Sequence, residues 1–216
     1  MNKKAVVAAL ALVAIIGSFI SLYSNRSGRP PHIALNSYEA LGQVAAEETA
    51  SLLGQKGRVV LIAQDTVENS NPAYEAQLEA FGGLLKSKGG VALASIERFK
   101  LTPMERMATG GAVPRERFLE VLDAHANADA IVLFVGFPSL ADADLDRLKQ
   151  SGVKLVLVSG YRPGYKGLLT ARLLQLAIVP RFDPGTGNTN PPQTTREWFD
   201  RDYVIITPDK TSDLPY

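Results

Sequence analysis

Three short stretches carry the residue types from which a ligand site would be built. Gln64, Asp65, Thr66 and Asn69 follow one apolar run, Phe137 and Ser139 follow a second inside "IVLFVGFPSLADADLDRL" (131 to 148), and Ser159, Tyr161 and Arg162 follow a third. Amides, hydroxyls, an aromatic ring and a guanidinium suit a small polar or anionic ligand, because a few convergent polar groups fix its orientation beside an apolar surface. The same residue types also suit turns, where side-chain oxygens satisfy backbone N–H groups. Both readings stand at this level, and "GFPSLAD" is expected as a turn and helix start with Phe137 exposed for contact.

Catalytic chemistry finds little footing. The chain has no cysteine, which removes thiolate nucleophiles, disulfides and cysteine-ligated zinc. A G-x-S-x-G elbow is absent. Of the two histidines, His32 lies in a Pro-rich stretch, and His125 falls one turn after Leu122 on an apolar helix stripe, so a structural role is expected. Asp142, Asp144 and Asp146 are expected in the first turns of a helix, where negative charge suits the macrodipole. The glycine and later glutamate of a calcium loop are missing. Asp65 stands where a phosphoacceptor would, but without an acidic pair on the preceding loop. "ATGGAVP" (108 to 114) lacks the G-K-[ST] ending of a phosphate loop, and contact with a partner or loop flexibility is expected there. No catalytic residue, metal site or cofactor is expected, and the protein is read as a non-enzyme.

These residues need strands to bring their loops together. "RVVLIA" (58 to 63) reads as a buried strand, and "VALASIERF" (91 to 99), "AIVLFV" (130 to 135), "KLVLVS" (154 to 159) and "AIVPRF" (177 to 182) as further strands. Between them lie helical patterns. Leu41, Val44, Ala45 and Leu52 mark the first, and Tyr74, Leu78, Phe81 and Leu85 fall on one face of the second. Further helices are expected over 114 to 125, with Phe118, Val121 and Leu122 inward, and over 141 to 150 and 166 to 176. Apolar strands alternating with single amphipathic helices predict an open parallel α/β sheet, Rossmann-like, with helices on both faces and right-handed crossovers. Its strand ends would gather the three candidate stretches along one edge.

Residues 183 to 216 read as an extended tail too poor in apolar residues to pack, with a short strand near 203 to 207. Trp198, Phe199 and Tyr203 would be partner-binding anchors that order on contact.

At the other end, "AVVAALALVAIIGSFISLY" (5 to 23) is 19 residues without a charge. As a helix it spans roughly 28 Å, enough to cross a bilayer once. Large residues interrupt every small-residue pair a signal peptidase would use, so a retained transmembrane anchor is expected. Lys3 and Lys4 precede it, which predicts a single-pass protein of the cytoplasmic membrane with its soluble part on the periplasmic or extracellular side. Residues 24 to 36 form a tether and 37 to 182 the α/β lobe. The 216-residue chain carries a net charge of +1. All four charges in its first 35 residues are basic, leaving 19 basic against 22 acidic side chains beyond. That balance excludes a nucleic-acid partner, which requires a clustered basic surface.

The pattern "LGQVAAEETASLLGQKGRVVLIAQ", with G-x-K-G-x-V-x-L-I leading into a strand, then "QLEAF" (77 to 81), "ADAIVLF" and "SGVKLVLVSG" (151 to 160), resembles one lobe of the type I periplasmic binding proteins, the sugar-binding fold shared with LacI-type repressors. The resemblance covers roughly residues 37 to 182. Gln77 and Ala80 stand where that family favours Arg and Gly, and Gly136-Phe137 where it commonly offers Asn or Asp to sugar hydroxyls. The resemblance implies a binding lobe where the family closes two lobes around a ligand. Two readings of function result: a membrane-anchored extracytoplasmic scaffold or binding subunit that contacts other protein subunits, or a small-ligand sensor for a sugar-like or anionic solute, acting as a dimer of single lobes.

Overall fold

A computed structural model describes residues 35–67, 70–158, 165–181 and 191–213. Within it, residues 35 to 216 form one compact unit. The elements are α1 (Asn36–Leu52), β1 (Gly57–Gln64), α2 (Pro72–Lys88), β2 (Val91–Phe99), α3 (Pro103–Thr109), α4 (Arg115–Ala124), β3 (Ala130–Leu133), α5 (Asp142–Ser151), β4 (Lys154–Val158), α6 (Tyr165–Thr170), β5 (Leu176–Pro180), α7 (Thr195–Asp202) and β6 (Tyr203–Ile206), with a closing 3-10 turn at Pro208–Asp213. The strands form one sheet in the order β2-β1-β3-β4-β5-β6.

β1 to β5 are parallel; β1, β3, β4 and β5 are apolar and buried on both sides, whereas β2, at the edge, alternates and buries only Val91. Alternate residues serve the two faces. Val59, Leu61, Val132, Val156 and Ile178 pack against α1, α2 and α7, where Phe81, Leu41 and Phe199 join them. Val60, Ile62, Ile131, Leu133, Leu155 and Leu157 pack on the other side with Phe118 of α4, Leu148 of α5 and Leu169 of α6.

Chain punctuation explains most boundaries. Asn71 caps α2 through its side-chain oxygen, with Pro72 in the first turn and Gly89 in the left-handed conformation at the end. α1 approaches α2 so closely that a Cβ on Gly42 would lie 2.1 Å from the Gln77 carbonyl oxygen. Glycine is required there for contact, not for its backbone angles.

Four expectations are corrected. The helix expected over 166 to 176 ends at Thr170, because Arg172 turns left-handed with φ at 55° and Leu173 and Leu174 fold into the core. Part of the Gly-rich stretch is helical: Thr102 and Glu105 form a reciprocal capping box for α3, and Gly110 closes it in the left-handed conformation. β6 is antiparallel, since it starts beside Pro180 at the carboxyl edge and must run back along β5. Finally, the C-terminal segment does pack: α7 lies on α1, and Phe199 is 1% exposed. The anchor expected over 5 to 23 and the tether up to residue 34 lie outside the described residues, and no described helix is long and apolar enough to cross a membrane.

Candidate functional site

The strand order reverses between β1 and β3, so an open α/β sheet has its natural crevice between their carboxyl ends. Here a side chain occupies it. Phe134 N–H donates to the Ile62 carbonyl at 2.9 Å, and the next rung of a parallel ladder would run from Gln64 N–H to the Phe134 carbonyl. Tyr74 intervenes. Its hydroxyl accepts from Gln64 N–H at 2.8 Å and donates to the Phe134 carbonyl at 3.1 Å. Burial pushes the phenol up to about 12.

The Gln64 backbone N–H thus serves the sheet, and Asp65 is tied in by both backbone and side chain. Asp65 N–H continues the β2 ladder to Phe99, and its carboxylate accepts from Val67 N–H at 2.9 Å, an Asx turn. Thr66 donates to Glu75, and Glu75 takes two 2.8 Å bonds from Arg98. Arg98 first of all, then the Thr66 hydroxyl, holds the Glu75 carboxyl below its usual range against some desolvation. Asn69, Ser159, Tyr161 and Arg162 lie outside the described residues.

Phe137 and Ser139 meet in a different place. A cleft of about 590 Å³ opens beyond β3, between the α3–α4 loop and α6, and both residues line it. Phe137 is 8% exposed and packs at 6.1 Å from the Phe118 ring, so it is floor rather than the exposed contact expected. Ser139 is exposed at the wall. Gly136 lets this floor form: a Cβ there would sit 3.1 Å from Ala112, which pairs with it as an isolated bridge.

Opposite, Thr109, Tyr165 and Arg115 complete the lining. Arg115 is clamped by Asp144, Nε to Oδ2 at 2.5 Å and Nη2 to Oδ1 at 2.7 Å. The guanidinium is the main cause that keeps the Asp144 carboxyl below the usual aspartate range. Asp144 also accepts from Ala141 N–H at 3.0 Å, closing the first turn of α5. It does so from the third helical position, within the first turns in which Asp142, Asp144 and Asp146 were expected.

A second cleft, about 500 Å³, runs between β2 and α4. There Glu97 accepts from Ser95 at 2.5 Å and lies 2.9 Å from His125 Nε2. His125 ends α4 and reaches the edge strand, off the apolar stripe on which it was expected. Ser95 faces the carboxylate, not the imidazole, so this trio is no nucleophile and base pair. Among the described residues, no three His, Cys, Asp or Glu side chains gather as metal ligands.

Sequence reasoning missed Tyr74, Arg115, Asp144, Thr109 and Tyr165. Tyr74 was visible only as part of a stripe, and the Arg115–Asp144 pair spans 29 residues with no local signal.

No protein-family model matches the chain. No curated protein matches it either. Solved structures do. GanP, a glucose-galactose binding protein from Geobacillus stearothermophilus, is 13% identical with a TM-score of 0.51, covering 84% of this chain and 62% of its own. AraP, an arabinose binding protein from the same organism, is 14% identical with a TM-score of 0.53, covering 82% and 62%. The XylFII-LytSN complex gives 13%, 0.52, 80% and 60%. This chain thus spans about three fifths of the length of the structures it matches. At such identities the likeness speaks for the fold, and that fold is the periplasmic-binding-protein-like α/β lobe.

Proposed function

We propose that the lobe binds a small, neutral, hydroxyl-bearing ligand, sugar-like in size and chemistry, in the cleft beyond β3. The carrying observation is the lining of that cleft. Phe137 and Tyr165 offer aromatic surface, Ser139 offers a hydroxyl, Thr109 lines the wall with its hydroxyl donated to the Glu105 carbonyl, and Arg115 is rigid. Its charge is answered by Asp144 and by Glu116 at 3.5 Å, so among the described lining residues no positive charge is left over for an anion. The sugar-binding proteins that share the fold support the same ligand class. Residues 5 to 23 would hold the lobe at the membrane on its extracytoplasmic side.

The scaffold reading loses its strongest support, because the tail that was to supply anchors is folded. Phe199 is core, and Trp198 and Tyr203 pack around it.

Thermal melting of residues 35 to 216 against monosaccharides, polyols, carboxylates and phosphates tests the proposal. A neutral hydroxylated member should stabilise the fold by about 2.7 kcal/mol at a hundredfold excess over Kd. Ser139→Trp, at an exposed position, should erase that shift while leaving the ligand-free melt unchanged. A panel without any shift, or a shift indifferent to Ser139→Trp, would sink the reading.

A further inference from the structure

Four large apolar side chains are strongly exposed among the described residues: Val67 at 86%, Met107 at 86%, Met104 at 80% and Ile96 at 40%. Three of them sit together in topology. Val67 follows β1, and Met104 and Met107 follow β2, all in connections that leave the carboxyl edge of the sheet. Met104 and Met107 are one turn apart on α3, a helix with no buried residue. Seven residues are too few to hold a helix by propensity alone. Its caps hold its ends, while the body spans the gap between the two clefts. Glu105 lines one of them, and Ala108 and Thr109 line the other.

Charge identifies what covers this edge. On α3 and α4 the exposed cations Arg106, Arg115 and Arg117 stand against Glu105, Glu116, Glu120 and Asp123, and the fourth carboxylate is answered by Arg147 of α5. A surface that is apolar at its centre and balanced at its rim meets its own image without net repulsion. The balance offers no excess positive charge to an anionic bilayer. Methionine suits such a contact, since its flexible thioether adapts to whatever it meets.

We propose that the carboxyl edge is a self-association surface, on which a second copy of this chain packs around Val67, Met104 and Met107 across a two-fold axis and covers the mouth of the cleft. The proposal rests on the cleft being the ligand site only for its consequence, that ligand and pairing reinforce each other.

The absence of native cysteine permits a clean test. In residues 35 to 216, a compact unit with its own core, Met107→Cys should form a disulfide-linked pair about tenfold faster than Lys86→Cys, at the far end of α2. Sedimentation should show a reversible pair, weakened about tenfold or more by Met104→Glu with Met107→Glu. The exposure of both methionines means that the double variant should melt as the parent does. Ser139→Trp separates the two claims. Pairing that survives without any ligand binding leaves this proposal standing and removes the ligand site. A protein that binds ligand yet stays monomeric at about 100 µM overturns it. So does a pair indifferent to the methionine substitutions, and so does a monomer whose methionines are shielded by phospholipid vesicles.

Discussion

One oxygen atom of Tyr74 stands where two strands would otherwise bond directly. Losing it by Tyr74→Phe leaves Gln64 N–H and the Phe134 carbonyl without their bridge, at a cost of about 1–3 kcal/mol in urea denaturation. The phenol adds a pH signature. Its folded value of about 12 lies above the ordinary 10.0, so the folded state keeps a proton that the unfolded state gives up first. This contribution is complete below pH 10 and disappears as pH rises towards 12. Urea midpoints of the parent should fall through that window, while those of Tyr74→Phe should lack this component.

At the scale of elements, the close α1–α2 contact leaves no room for a side chain at Gly42. Gly42→Ala forces the two helices apart, because the new methyl would overlap the Gln77 carbonyl. A loss of about 1–3 kcal/mol in denaturant unfolding is expected, with the sheet intact by circular dichroism. How far such elements can be read from residues alone depends on the range of the forces that make them. Strands such as "RVVLIA" are legible because burial on both faces demands continuous apolar residues, and the stripe of Tyr74, Leu78, Phe81 and Leu85 is legible because a helix repeats every 3.6 residues. The cleft was only partly legible. Phe137 and Ser139 follow a strand, and topology brings strand ends to one edge, but the Arg115–Asp144 clamp joins two helices that no periodicity connects. Nor does spacing tell that a stripe tyrosine uses its hydroxyl between strands.

For the molecule as a whole, the last described helix and strand decide whether one face of the sheet is covered. α7 contributes few apolar residues, which is why composition concealed it. Yet Phe199 fills the space above β5 and β6, 5.7 Å from the Tyr203 ring, and Ser37 at the start of α1 donates to Asp202 at 2.5 Å. Phe199→Ala should cost about 3–5 kcal/mol by chemical denaturation. It should also raise the solvent exposure of α1, read as faster amide exchange there.

The two lateral margins of the sheet differ in origin but act alike. Along β2 the register slips between Val59 and Val60, so an extra residue bends the strand, and Glu97 with Arg98 adds charge towards its end. On the opposite side β6 is only four residues long and gives way to the turn at Pro208–Asp213. Neither offers a long straight template for another strand. Sideways polymerisation into ribbons is thereby discouraged, and copies that meet through α3 would stop at two rather than grow into fibres.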